Sequence, residues 1–186
     1  MMMIQDQVYF DLYVEEEMIN TWTQCDTKKA LLGALVPGGV AAFTAYSAFK
    51  DKSVKEFFDT YCECKCAPKD PSVYAALDIM TFSPMGYAAY MVFKHGGGFD
   101  YNDTKAAMGL YGATLASWLA FSPVAKKKDR KLVLVHSSIH AALAAATCYS
   151  FYKIDETAGK ICIPVAILTA MYALMSYGGY KKHANN

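Results

Sequence analysis

"SPMGYAAYMVFKHGGGF", Ser83 to Phe99, is the stretch on which the fold turns. It has Pro84 near its start, no formal charge before Lys94, and three consecutive glycines, Gly96 to Gly98, near its end. Extended back to Pro71, the charge-poor run reaches about 23 residues, interrupted only by Asp78, and can cross a hydrocarbon layer about 30 Å thick. A core helix of a soluble domain would instead carry a polar stripe down one side.

Four further windows have the same character: Ala30 to Phe49, Ala106 to Ala125, Leu132 to Tyr152 and Ile161 to Tyr180, each about 20 residues long and free of formal charge. Acids and bases collect between the windows rather than along one face within them, which is the pattern of helices solvated by lipid. The expectation is therefore an all-α bundle of five transmembrane helices spanning residues 30–186, preceded by a polar extension, residues 1–29. Mean hydropathy is only +0.13, low for such a chain. The polar extension accounts for part of this, and spans rich in Ala, Gly, Ser, Thr and Tyr for the rest. A soluble bundle with a small-residue core is the competing reading.

The chain of 186 residues has a formal net charge of +1, and its lysines come in short scattered groups, so no basic face exists for nucleic acid. Lys50, Lys52, Lys55, Lys65 and Lys69 follow the first window, Lys126 to Lys128, Arg130 and Lys131 the third, and Lys181 and Lys182 the fifth. Against them stand Lys28, Lys29, Lys94, Lys105, Lys153 and Lys160, a bias of about two to one that predicts a cytosolic C-terminus. The segment before Lys29 has the acids Asp6, Asp11 and Glu15 to Glu17 and neither an apolar secretory core nor an Arg-rich, acid-poor transit composition. Residues 9–14 are expected to be a short surface helix or a disordered extension.

Few residues could carry chemistry. Cys62, Cys64 and Cys66 lack the paired, wider spacing and nearby histidine of a zinc site, so they read as loop thiols; Cys25, Cys148 and Cys162 read as small apolar fillers. His136 and His140, one turn apart, could ligate a metal or haem iron or, more simply, hydrogen-bond across helices together with Ser137 and Ser138. A carboxylate such as Asp78 would cost about 2.5–3.5 kcal/mol facing lipid, so it should face protein or a cavity, either protonated or hydrogen-bonded as glue between helices, or marking a ligand path. No nucleophile stands with a base and no phosphate loop is present, so no catalytic residue and no metal site are expected, and the reading is non-enzymatic. "AALAAAT", Ala141 to Thr147, allows close helix approach. Leu174, Tyr177 and Lys181 fit both a loose sterol-contact pattern and an ordinary span end.

Five short windows, "PMGYAAYMVFKHGGGF", "GLYGATLASW", the alanine run and the terminal Leu/Tyr/Lys set resemble the translocator protein family, which includes the peripheral benzodiazepine receptor and bacterial tryptophan-rich sensory proteins. The resemblance implies a five-helix protein, often a homodimer, of the outer mitochondrial membrane in eukaryotes. It implies no required cofactor, and ligands among cholesterol, porphyrin or haem held in contact with membrane lipid. By register it places the ligand pocket at Trp118 or Leu119, Leu132, His136 and Tyr172, and the sterol contact at Leu174, Met175, Tyr177 and Lys181. It also puts His136 where the family has an acid and Asp78 where it usually has a tryptophan. With only Trp22 and Trp118 in the chain, the alternative expectation is a structural subunit of a larger membrane complex that keeps the bundle without the pocket.

Overall fold

The computed structural model describes residues 22–61 and 71–184. Among the described residues the chain is helical throughout, with helices α1 (Gln24–Lys50), α2 (Lys52–Tyr61), α3 (Pro71–His95), α4 (Asn102–Lys126), α5 (Arg130–Ile154) and α6 (Glu156–Ala184), and a 3-10 turn at Gly98–Asp100. All but α2 are 25 to 29 residues long.

Local chemistry sets the helix ends. Thr23 and Asp26 form a capping box: the Thr23 hydroxyl accepts from Asp26 N–H, and the Asp26 carboxylate accepts from Thr23 N–H at 2.8 Å. This cap starts α1 at Gln24, ahead of the charge-free window that begins at Ala30, so part of the polar extension is helical. Pro71 opens α3, where its missing N–H costs nothing. At the other end of α3, Gly97 and Gly98 adopt φ of +72° and +71°, a left-handed backbone that stops the helix as expected. Asp129 caps α5 by accepting from the N–H groups of Lys131 and Leu132. Asp155 alone separates α5 from α6, and its side chain accepts from Ala158 N–H at 2.8 Å.

Three segments are long and apolar enough to cross a membrane by length and composition: Gln24–Ser47 in α1, Arg130–Ile154 in α5 and Glu156–Lys182 in α6. Of the five expected spans, those in α3 and α4 fall short of that composition. Their polar side chains turn inward, with Asp78, Thr104 and Thr114 all buried. The outer surface is apolar instead: Leu31, Leu32, Leu35, Val36 and Phe43 on α1 and Ile163, Ile167, Met171 and Leu174 on α6 are exposed, Leu174 at 71%. Such a surface belongs in lipid, and the protein is a multi-pass membrane protein.

Helix α3 is the hub, packing on α1 and α6 and touching α4 and α5. Phe82, Met85, Ala88 and Val92 form its fully buried stripe. Gly33 of α1 and Gly86 of α3 meet backbone to backbone: a Cβ added at Gly86 would run into the Gly33 carbonyl and lie 2.8 Å from the Ala34 Cα. Gly38 of α1 faces Ser83 in the same seam. Hydroxyls join other pairs, Ser47 with Ser122 between α1 and α4 and Thr114 with Thr147 between α4 and α5, both at 2.9 Å. One end of the bundle is closed by charge. Asp26 pairs with Lys94 at 2.5 Å and accepts from Tyr90, Trp22 covers the Lys94 ammonium, and His95 contacts Asp155 of the α5–α6 turn.

At the other end, short α2 buries Val54 and Phe57, and Phe57 packs with Val133, Phe121 and Val124. Asp51, between α1 and α2, accepts from Ser53 N–H and pairs with Lys126 at 3.5 Å. Ser53, and after it Lys126, hold the Asp51 carboxyl below the usual carboxylate range. Cys62, Cys64 and Cys66 and the expected 9–14 helix lie outside the described residues. Cys25 is exposed rather than a filler, whereas Cys148 is half-buried and Cys162 buried.

The glycine seam yields a direct test. Gly86→Ala should destabilise the protein by about 1–3 kcal/mol, because backbone rather than a flexible side chain must move. Gly39→Ala, where a Cβ meets nothing within 4 Å, should be neutral or slightly stabilising, as alanine favours helix. Thermal unfolding of the two variants in detergent, measured in parallel, distinguishes them.

Candidate functional site

In the half of the bundle nearer α2, four helices bring aromatic and ionisable side chains together. Helix α3 presents residues at helical spacing, Tyr74, Asp78 and Phe82, so that one face carries all three. Helix α4 contributes Trp118 and Phe121, α5 contributes His136 and His140, and α6 contributes Tyr172. The rings form a continuous chain. Phe82 lies 4.5 Å from Trp118 between centroids, Trp118 lies 4.9 Å from His140 and 6.2 Å from Tyr172, and Tyr172 lies 6.2 Å from Tyr74. The imidazoles of His136 and His140 are nearly parallel, 8° apart in plane and 6.5 Å between centroids, and Phe121 lies 5.9 Å from His136.

The polar atoms within this cluster are unequally satisfied. Tyr172 donates its hydroxyl to Asp78 Oδ1 at 2.7 Å, tying α6 to α3. By contrast, both ring nitrogens of His140 and the Nε1 of Trp118 are buried with no hydrogen-bond partner among the described residues; the two side chains are 4% and 6% exposed. Unpartnered donors and acceptors in an apolar interior cost about 1–3 kcal/mol each, so three in one place call for a compensating group. A neutral imidazole offers one donor and one acceptor and the indole one donor, so the cluster presents flat apolar faces with a few convergent polar atoms, the usual make-up of a small-molecule site.

The sequence-derived pocket residues divide. Trp118, His136 and Tyr172 meet in the cluster, Leu132 is half-buried one turn before His136, and Leu119 is 43% exposed on the outer side of α4. Leu174 and Tyr177 are exposed on α6, with Lys181 one turn further along the same face and Met175 half-buried behind them. Among the described residues the expected interhelical bonds of Ser137 and Ser138 do not form: both hydroxyls donate to carbonyls of their own helix, Val133 and Leu134, a local alternative open to any helical serine. Phe82 and Phe121 were not among the expected site residues. Phe82 at i+4 from Asp78 was the available signal, but an apolar residue in an apolar run does not advertise its neighbours.

Among the described residues no group of three or more metal-ligating side chains occurs. A sequence model of the TspO/MBR family matches residues 33–181. Curated relatives called translocator protein match over 97 residues, 52% of this chain and 57% of the relative: the protein of Sus scrofa is 30% identical, that of Homo sapiens 29% and that of Bos taurus 28%. The chain thus spans about half the length of the curated relatives it matches. No solved structure matches.

The Asp78–Tyr172 bond can be probed as a pair. Tyr172→Phe leaves a buried carboxylate without its donor and should cost about 1–3 kcal/mol, whereas the same change in an Asp78→Ala background should cost far less. Denaturation of the two single variants and the double variant gives the coupling; additive losses would mean that the bond contributes nothing.

Proposed function

The chain belongs to the TspO/MBR family, and from that premise we propose that it is a non-enzymatic membrane protein that binds sterols and porphyrin- or haem-type tetrapyrroles between and along five spanning helices. The observation that carries the reading is the trio of unpartnered buried nitrogens, Nε1 of Trp118 and both of His140, set among the rings of Phe82, Trp118 and Tyr172. A flat aromatic ligand stacks favourably on such rings, and its polar atoms satisfy groups that the protein leaves open. Phe57 of α2, packed near Phe121, covers the end of the cluster.

The proposal extends to five spans because α3 and α4 turn their polar residues inward, so a lipid-facing side of alanine, glycine and scattered large apolar residues suffices for each. The sterol contact is assigned to the outer face of α6 at Leu174, Tyr177 and Lys181, with Met175 half-buried behind them, where an aliphatic chain, a ring and a snorkelling ammonium occupy one side near a helix end. The lysine bias supports a cytosolic C-terminus, and the family supports residence in the outer mitochondrial membrane and assembly as a homodimer.

Purified protein in nanodiscs should bind protoporphyrin and cholesterol saturably. Trp118→Ala should weaken porphyrin binding by about tenfold with little effect on sterol. Tyr177→Ser and Lys181→Leu should do the reverse. Failure of wild type to bind either ligand, with the helices intact by circular dichroism, would refute the proposal.

A further inference from the structure

Neither a sterol hydroxyl nor a porphyrin carboxylate explains Asp78. Its side chain is 9% exposed, takes one hydrogen bond from Tyr172, and forms none of the ion pairs found among the described residues. Among the described residues this carboxyl has no countercharge, and the one group that bonds it is the hydroxyl of an aromatic side chain. The faces of Tyr172, which donates to Asp78, and of Trp118 and Tyr74, whose rings pack on that of Tyr172, are electron-rich. Phe82, one turn along α3 from Asp78, lies tilted against Trp118 and stacked on His140, and Tyr172 joins the carboxyl to the same ring chain. Among the described residues no ion pair joins a lysine or arginine to Asp78, and at the other end of the bundle Lys94 pairs with Asp26 instead.

We infer that the ring cluster is selective for a ligand with a protonated amine on a flat apolar body, with the ammonium hydrogen-bonded to Asp78 and the body lying against Trp118 and His140. The inference rests on reading the cluster as a ligand site and adds the charge of the occupant. An ammonium there supplies the missing countercharge in a medium of low dielectric, where such a pair is strong once geometry is satisfied. An anionic group near Asp78 would be repelled, so a tetrapyrrole must orient its carboxylates elsewhere.

The test compares two probes that differ only in charge, 1-pyrenemethylamine and 1-pyrenemethanol, on the full chain in zwitterionic nanodiscs at neutral pH. The chain has two tryptophans, so Trp22→Phe leaves Trp118 as sole donor for energy transfer to pyrene. Saturable quenching of Trp118 by the amine at an affinity about tenfold or more above that of the alcohol is expected, and Asp78→Asn should abolish the difference. Equal affinity of the two probes for the protein with Asp78 intact overturns the inference, and needs no Asp78 variant to fold. A preference that survives Asp78→Asn overturns it as well. Protoporphyrin and cholesterol are titrated on the same preparation: if they bind and the amine has no advantage, only the charge selectivity falls, whereas loss of all saturable binding removes the ligand site itself.

Discussion

The close approach of α1 to α3 at Gly33 and Gly86 sets the geometry from which the rest follows. In lipid, apolar side chains gain little by leaving hydrocarbon for protein, so helices associate through dispersion contacts and a few hydrogen bonds, both of which demand short distances. Two glycines let the backbones touch, and Gly38 against Ser83 continues the seam along α1 and α3. With α3 held there, its opposite faces are free to meet α4, α5 and α6, and Phe82 and Asp78 point into the same interior as Trp118, His140 and Tyr172.

Polar groups are handled differently in the two halves of the bundle. At the end formed by the start of α1, the close of α3 and the α5–α6 turn, they pair among themselves: Asp26 with Lys94 and Tyr90, and Asp155 with His95. That end is a fastening, tightened by Trp22, whose ring contacts those of Tyr87, Tyr90 and His95. In the half toward α2, among the described residues, an imidazole and an indole lack hydrogen-bond partners and a carboxyl has no ion pair. The chain thus satisfies its polar groups at one end by pairing them and, among the described residues, leaves several without partners at the other. The short helix α2, amphipathic and packed through Phe57 on Val133 and Phe121, lies at that end.

Much of this was legible beforehand. Charge-free windows of spanning length announced the long helices, because a helix surrounded by hydrocarbon cannot tolerate charge on any side. Gly96 to Gly98 announced the end of α3, and the depth of Asp78 announced that it must face protein. Less legible was the start of α1, which the Thr23–Asp26 capping box moves into a segment that reads as polar extension. That start is a consequence of packing: Asp26 is tolerated where it is because Lys94 and Tyr90 reach it from another helix.

By itself the sequence determined the helical class, the approximate helix limits and the resemblance to a membrane family, since these depend on local properties: charge spacing, glycine conformation and the run of apolar residues. Which side chains share a site was decided by tertiary structure alone. His140 and Trp118 are separated in the chain, and nothing in either segment says that their rings will lie against each other with no hydrogen-bonding partner; that follows from the rotation of each helix about its axis, which is set by where small residues permit contact. The same rotation sends Leu119 outward and Tyr172 inward to Asp78, so the identity of the site residues is a property of the packed bundle rather than of any one of its helices.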